Sequence, residues 1–229
     1  MTRARPAAGG GRRLGVTPER LGTWLDGVAE RHGAFTDVTL VGNQVHLTCA
    51  DGTTLALRAP FDWDPSPALL TGFTAAARRP RRAAVLLVRR GRWAVGVFDG
   101  TDLVVSKVDS RLVQGRTAAG GWSQQRFARR RGNQTDAVVA AAADTAVRVL
   151  LPHADGLTAL FTGGDRGLVD GVLGDPRLRR LAALRSDRAL EVGEPTKAVL
   201  LETPRQFRAV EVHIVEPTDR SGAADDQVT

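Results

Sequence analysis

The chain has 229 residues, of which 42% are hydrophobic, and it carries a formal net charge of +7 at neutral pH. This length supports one ordinary hydrophobic core, or one core with a small additional module. No run of consecutive apolar residues approaches the roughly 18 that a membrane span needs, and the charged, glycine-rich start is not typical of a secretory signal. We therefore expect a soluble, cytoplasmic protein with no membrane partner.

The basic charge comes from 32 basic and 25 acidic residues and gives a sequence pI of about 11.1. Such a balance is compatible with a polyanionic partner, either RNA or DNA. Lys107 and Lys197 are the only lysines, however, and a genome rich in G and C also produces an arginine bias. Cys49 is the only cysteine, which excludes an intramolecular disulfide and a cysteine-based zinc site.

The first predicted element is a helix, and strands are predicted to follow it. Thr17 is suited to the N-cap of that helix, Pro18 to its first position and Gly33 to its end. Its apolar stripe consists of Leu21, Trp24, Leu25 and Val28. Alternating apolar and polar residues around "GN" and "DG" then predict short antiparallel strands.

A second series of elements starts near Arg81. Three strand-like runs form a meander, and a long helix follows, ending near Leu151. A buried strand, short helices and two further strands complete the order. Three meandering strands followed by helix–strand–helix–strand are typical of a ribonuclease H-like layered domain. The predicted fold class is α/β (α+β), with this domain preceded by a small α+β module.

These elements predict five segments. They are a disordered basic tail (1–13), the small α+β module (14–60), a proline-rich linker (61–80), the larger domain (81–215) and a polar tail (216–229).

The segment "GRTAAGGWSQQRFARRR", residues 115–131, is the most unusual in the chain. Gly120 and Gly121 allow a backbone to approach a ligand closely. A helix that starts directly after them directs free N–H groups and the positive end of its dipole at that ligand. Ser123 is suited to cap this helix, and Trp122 would lie exposed at its tip.

The residues after the tip have side chains that can bind RNA and position a water molecule. Arg126, Arg129 and Arg130 are helical neighbours, so they form one face that can follow a phosphate backbone. Gln124 and Gln125 are neutral: they can orient a water and donate hydrogen bonds, but neither is a strong general base. This combination suits a reaction that depends on positioning water and stabilising an oxyanion.

"GGWSQQRFARRR" resembles the tip and following helix of the middle domain of eukaryotic and archaeal class I release factors. It resembles more closely a bacterial and actinobacterial branch of that superfamily whose tip reads Gly-Gly-Trp-Ser-Gln. That branch is similar to eukaryotic ribosome-quality-control peptidyl-tRNA hydrolases. The resemblance is sharp over 115–131, agrees with the element order of about 81–215, and says little about 1–60.

The resemblance implies roles for individual residues. Gly120 and Gly121 match the family's glycines, and Trp122 stands where the class I release factors have their catalytic glutamine. Because the quality-control hydrolases carry that glutamine after a serine, Ser123 and Gln124 fit them, which makes Gln124 the catalytic candidate and Gln125 the alternative. The matching arginines, Arg126 and Arg129, would face tRNA or ribosomal RNA, with Arg130 on the same face.

The reaction implied is hydrolysis of the ester between a nascent peptide and the terminal ribose of tRNA. The implied partners are the large ribosomal subunit, peptidyl-tRNA and ribosomal RNA. No cofactor or metal is expected. Residues 81–215 would then form a release-factor-like catalytic domain, and Trp122 would pack against the terminal adenosine or the tunnel entrance.

Other interpretations remain open. A non-catalytic ribosome- or RNA-binding factor would keep the basic helix, and a metal-dependent ribonuclease H-like nuclease would use carboxylates at strand ends. The arginine runs 78–82 and 89–92 are candidate RNA contacts or solvated faces. "FTGGDRG", 161–167, lacks the end of a phosphate loop and favours an ordinary strand–turn–helix connection. Candidate metal ligands of the nuclease are Asp99, Asp102, Asp109 and Asp165.

Overall fold

The computed structural model describes residues 5–7, 10–65, 67–89, 91–111 and 124–217, with 124–134 as helical backbone. The strands are β1 Arg5–Pro6, β2 Arg12–Val16, β3 Phe35–Val41, β4 Gln44–Cys49, β5 Thr54–Arg58, β6 Arg82–Arg89, β7 Arg92–Asp99, β8 Asp102–Ser110, β9 Ala159–Gly164, β10 Arg185–Leu190 and β11 Val210–Val215. The α-helices are α1 Pro18–His32, α2 Leu69–Arg78, α3 Gln124–Leu150, α4 Arg166–Leu173, α5 Arg179–Ala182, α6 Lys197–Glu202 and α7 Pro204–Phe207. Two 3₁₀ turns, Leu151–Gly156 and Pro176–Leu178, complete the elements.

The chain divides into two compact units. The first contains residues 1–79 and 205–229, and the second contains residues 80–204. Each unit has its own sheet: the order is β1-β2-β11-β5-β4-β3 in the first and β10-β9-β6-β7-β8 in the second. The protein is therefore a mixed α/β structure.

The sheet of the second unit has the predicted ribonuclease H-like arrangement. β6, β7 and β8 form an antiparallel meander, and β9 and β10 continue the sheet in parallel on the other side of β6. Numbered from β6, the five strands lie in the order 5-4-1-2-3. β6 is central and reads as a continuous apolar run because both of its faces are buried.

The core of the second unit joins one face of this sheet to α3 and α4. Helical spacing brings Val138, Ala142, Ala146 and Leu150 onto the buried side of α3. The segment Thr135–Gly156 is long and apolar enough to cross a membrane by length and composition alone. Its buried alanines and valines pack in this core, which accounts for its apolar composition.

The first unit buries α1 and α2 against one face of its sheet. Leu21, Leu25 and Val28 of α1 are buried as predicted, whereas Trp24 is only partly buried. The single cysteine, Cys49, is buried on β4, where burial raises the pKa of its thiol. Gly33, with φ of 81°, ends α1 at the predicted position.

Three of the predicted segments differ from the structure. Arg12 and Arg13 were expected in a disordered tail over 1–13. They belong to β2, because this segment pairs with β11 in an antiparallel arrangement. The linker expected over 61–80 contains α2, whose Phe73 is fully buried. The final strand, expected in the domain 81–215, pairs with β2 and β5 of the first unit. Of the tail 216–229, all but its first two residues lie outside the described residues.

Candidate functional site

The Gly-Gly-Trp-Ser-Gln motif follows β8 in the sequence, and its glutamine is the first residue of α3. β8 ends at Ser110 and α3 begins at Gln124. Gly120, Gly121, Trp122 and Ser123 are outside the described residues, so the predictions for them stay predictions.

Gln124 and Gln125 occupy the first turn of α3, and the arginines follow directly in the helix. Helical backbone over 126–130 places Arg126, Arg129 and Arg130 at spacings that share one side of the helix. The sequence therefore predicted correctly that these five residues lie at a helix start. Which groups their side chains contact remains a prediction.

Arg111, directly after β8, forms a hydrogen bond that connects the end of this strand to α3. Its backbone N–H donates to the Gly91 carbonyl at 2.7 Å, which ties it to the turn between β6 and β7. Its guanidinium donates to the Ala137 carbonyl of α3 at 3.4 Å. Since an α-helix rises about 1.5 Å per residue, the start of α3 at Gln124 lies about 20 Å along the helix axis from Ala137. The proposed reactive end of α3 is thus remote from the anchored part.

A buried hydrogen bond fixes the register of α3 on the sheet. The indole N–H of Trp93, on β7, donates to the Thr145 hydroxyl at 3.0 Å. That hydroxyl donates to the Ala141 carbonyl at 2.9 Å, so both polar groups are satisfied. Trp93 and Thr145 are each only 3% exposed. Such a directional contact in an otherwise apolar core holds the helix against sliding or rotation.

An ion-pair network holds the outer side of the same helix. The Arg177 guanidinium donates to Asp144 of α3 at 2.8 Å and to Asp175 at 2.6 Å. The hydrogen bonds from Arg177 lower the pKa of the Asp175 carboxyl, and the two carboxylates raise the pKa of Arg177. All three side chains have solvent access, so we assign this network a positioning role and little stability.

The carboxylates proposed for a nuclease do not converge. Asp99 ends β7 and Asp102 begins β8, at the end of the sheet where β6 starts. Asp109 and Asp165 lie at the opposite end, and Asp165 caps α4 by accepting from the Leu168 N–H at 3.2 Å. Within the described ranges, no group of three or more His, Cys, Asp or Glu residues could hold a metal ion. This geometry gives the nuclease interpretation no support.

Several arginines of the two basic runs have partners inside their own unit. Arg78 donates to the Pro18 carbonyl at 3.3 Å. Arg82 lies 3.8 Å from the Asp99 carboxylate, Arg89 donates to the Val192 carbonyl, and Arg92 lies 3.2 Å from Glu194. These contacts favour a structural role over RNA contact for these arginines.

The second unit therefore belongs to the class of ribonuclease H-like sheet domains. Its long helix, α3, starts at the glutamine of the Gly-Gly-Trp-Ser-Gln motif. Residues 81–213, more than half of the chain, match the family model of the Actinobacteria/chloroflexi VLRF1 release factor. The chain belongs to this release factor family.

Solved structures include remote likenesses. One is an archaeal protein at 16% identity and a TM-score of 0.39, with coverage of 79% of this chain and 53% of that one. Another is the archaeal translation termination factor aRF1 at 12% identity and a TM-score of 0.39, with coverage of 93% and 68%. The chain thus spans about half the length of the first. No curated protein matches it at a significant level.

Proposed function

We propose that this protein is a release-factor-type peptidyl-tRNA hydrolase that frees nascent chains from tRNA on stalled large ribosomal subunits. The observation that supports it best is the release factor family match over 81–213, which encloses the complete Gly-Gly-Trp-Ser-Gln motif at the start of α3. Since translation takes place in the cytoplasm, we also propose that the protein acts there.

In the proposed reaction, Gln124 positions the water that attacks the ester carbonyl. A glutamine amide can accept from the water and donate to the substrate, although it cannot remove a proton at neutral pH. Free N–H groups at the start of α3 stabilise the developing oxyanion. The bond between the carbonyl carbon and the ribose oxygen then breaks. The adjacent ribose hydroxyl takes the proton from the attacking water and gives its own proton to the leaving ribose oxygen, so no basic side chain is needed.

The binding part of the proposal concerns the tip and the arginine face. Gly120 and Gly121 let the backbone enter the peptidyl-transferase centre, and Trp122 stacks on the terminal adenosine. Arg126, Arg129 and Arg130 contact phosphates of tRNA or ribosomal RNA.

The direct test is peptide release from purified large subunits that carry peptidyl-tRNA. We expect Gln124→Ala to lower the release rate by about 100-fold or more, as when other enzymes lose a group that stabilises the transition state. Gln125→Ala is the matched control and should have the milder effect. Cosedimentation with large subunits should be the same for both variants and the native chain.

Two results would count against this proposal. Equal release by Gln124→Ala and the native chain would remove Gln124 from the mechanism. Binding of the native chain to subunits without release would instead show a non-catalytic ribosome-binding factor.

A further inference from the structure

Gly27 lies in the interior of α1, where the fold does not require a glycine. Glycine is unfavourable inside a helix relative to alanine, because a glycine loses more backbone conformational freedom than an alanine when the chain folds. A Cβ atom at Gly27 would meet nothing within 4 Å among the atoms considered. By contrast, a Cβ at Gly22 in the same helix would lie 3.4 Å from the Arg78 guanidinium. Gly27 therefore leaves open space that packing does not explain.

The missing side chain forms the floor of a notch on the helix surface, which we call the Trp24 notch. It has a volume of about 330 Å³ and is lined by Arg20, Thr23, Trp24, Gly27, Glu30 and Arg31. These positions recur at spacings of three and four residues, so they share one face of α1. The Arg31 guanidinium donates to the Gly27 carbonyl at 2.9 Å, which holds it beside the open backbone.

Trp24 differs from the other two tryptophans that the structure describes. The indole N–H of Trp63 donates to the Asn43 carbonyl at 3.2 Å, and that of Trp93 donates to Thr145. The indole N–H of Trp24 has no hydrogen-bond partner in the described part of the chain, and its ring is only partly buried against the core. An aromatic ring and a free donor are thus available at the notch.

The charges at the notch favour an anionic ligand. Neither Arg20 nor Arg31 forms an ion pair with any residue that the structure describes. Their two positive charges exceed the single negative charge of Glu30. An accessible indole beside two guanidinium groups that are outside ion pairs is the combination that binds a base and its phosphate.

We propose that the Trp24 notch binds a nucleotide of single-stranded RNA. The base stacks on Trp24 over the backbone of Gly27, and Arg20 and Arg31 contact the flanking phosphates. A single strand is required because bases of a duplex are not free to stack on a side chain. A glycine inside a helical pattern, Gly27, is the sequence signal that could have indicated this site, whereas the stripe pattern alone assigned Trp24 to the core. This second RNA contact does not depend on whether the tip hydrolyses an ester.

The test is binding of a labelled single-stranded RNA of about 12 nucleotides, within the usual range of site sizes. It uses the full chain in a background with Arg126, Arg129 and Arg130 replaced by glutamine, which removes the phosphate binding proposed for α3. Gly27→Leu fills the notch, and we expect it to weaken RNA binding by roughly tenfold or more. Gly193→Leu is the matched control, because a Cβ there also meets nothing within 4 Å. It should bind RNA as the background does.

A thermal melt separates binding from folding. Since leucine favours a helix more than glycine, Gly27→Leu should melt no lower than the background. Trp24→Leu should weaken RNA binding similarly. Unchanged RNA affinity in both variants would overturn the proposal.

Salt dependence and ribosome binding give the second readout. Arg20→Gln with Arg31→Gln should reduce the slope of log affinity against log salt by about 0.7 for each phosphate that the variant no longer neutralises. Binding to large subunits is measured with the same notch substitutions in a chain that keeps Arg126, Arg129 and Arg130. If RNA binding is normal but binding to large subunits is lost, the notch recognises a ribosomal protein and the RNA assignment is wrong. Peptide release by Gln124→Ala tests the proposed function separately, because Gln124 belongs to α3 and the notch is formed by residues of α1.

Discussion

Two glycines at the end of β9 show how single residues set the packing of the second unit. A Cβ atom at Gly164 would lie 2.2 Å from the Val88 carbonyl oxygen, and one at Gly163 would lie 2.8 Å from the Leu190 carbonyl oxygen. Gly164 also has φ of 99°, which side chains rarely allow. The segment 161–167 is therefore a strand–turn–helix connection, as predicted, whose glycines permit close contact between strands.

Gly164→Ala should destabilise the protein by about 2 kcal/mol or more, because it adds backbone strain and a clash with Val88. Gly193→Ala, at an open position, is the control and should change the free energy of unfolding by less than about 0.5 kcal/mol. Urea denaturation measures both. Similar free energies of unfolding for the two variants would show that β9 relaxes at low cost.

A small polar cluster joins the end of α1 to the turn between β4 and β5. The Asp51 carboxylate accepts from the Thr53 N–H at 2.8 Å and from the Thr53 hydroxyl at 3.1 Å, and it lies 2.9 Å from Nδ1 of His32. The hydrogen bond from the Thr53 backbone, followed by that from His32, lowers the pKa of Asp51.

This lowered pKa gives a pH prediction. The folded-state pKa of Asp51 lies below its unfolded value of about 3.9, so its stabilising contribution is present above that value. The contribution is lost as the pH falls through the folded-state pKa. Asp51→Asn should therefore be less stable than the native chain at pH 7, and the difference should shrink toward pH 3.

Free energies of unfolding from pH 3 to pH 7 check this expectation. Asp64→Asn, an exposed carboxylate on the segment before α2, is the control and should follow the native profile. A difference for Asp51→Asn that grows at low pH would contradict the assigned sign.

At the scale of elements, α3 combines an anchored half with a half that carries the proposed site. Its buried residues and its Thr145 hydroxyl attach the later turns to the sheet. The helix starts at Gln124, directly after the motif. The position of the site in space therefore depends on packing that lies several turns away from it.

Thr145→Val should destabilise the second unit by about 1–3 kcal/mol, because it leaves the buried indole N–H of Trp93 without an acceptor. Thr145→Ser keeps the hydroxyl and should cost less. Thermal unfolding measures both variants, and near-ultraviolet circular dichroism reports the surroundings of Trp93. Equal destabilisation by the two variants would mean that the methyl group of Thr145 matters more than its hydrogen bond.

The arginine face of α3 gives a prediction on charge. Replacing Arg126, Arg129 and Arg130 by glutamine should weaken binding to large subunits or tRNA. It should also reduce the salt slope by about 0.7–0.9 for each phosphate that the variant no longer neutralises. Binding measured at several salt concentrations checks this, and release at saturating protein should change less than affinity.

A control with the same change in net charge separates position from overall charge. It replaces Arg148, Arg166 and Arg179 by glutamine, all of which are exposed in the structure and lie outside the two arginine runs. This triple variant should keep the salt slope of the native chain. Equal effects of the two triple variants would show that only the overall basic charge matters.

At the scale of the whole molecule, the last strand returns to the first unit. β11 pairs with β2 on one side and β5 on the other, and it contributes Val210, Val212 and Ile214 to the core of that unit. The family match, residues 81–213, therefore covers the second unit and extends into a strand of the first.

Val212→Asp should disrupt the first unit, because it buries a charge at a position that is 1% exposed. We expect hydrogen exchange to show faster exchange of β2 and β5 amides while β6 and β9 keep their protection. Val104→Asp, on a strand position that is 45% exposed, is the control. Equal loss of protection in β6 and β9 would mean that the two units unfold together.

The sequence by itself determined the elements whose signals are local. Thr17, Pro18 and Gly33 marked the limits of α1, and the turn residues marked the strands of both sheets. Continuous apolar runs and helical periodicity also indicated the ribonuclease H-like order. The motif at 115–131 pointed to the release factor family because it resembles the tip and following helix of that family's members.

Only the tertiary structure decided which distant segments pair. β2 and β11 have short, ordinary strand patterns, and no local rule says that residues 12–16 and 210–215 lie side by side. Likewise, the stripe pattern assigned Trp24 to the core, whereas the fold leaves it partly exposed beside Gly27. Strand pairing and burial depend on surfaces supplied by segments far away in the chain. A local stretch of sequence therefore does not determine which strand it pairs with or how deeply its side chains are buried.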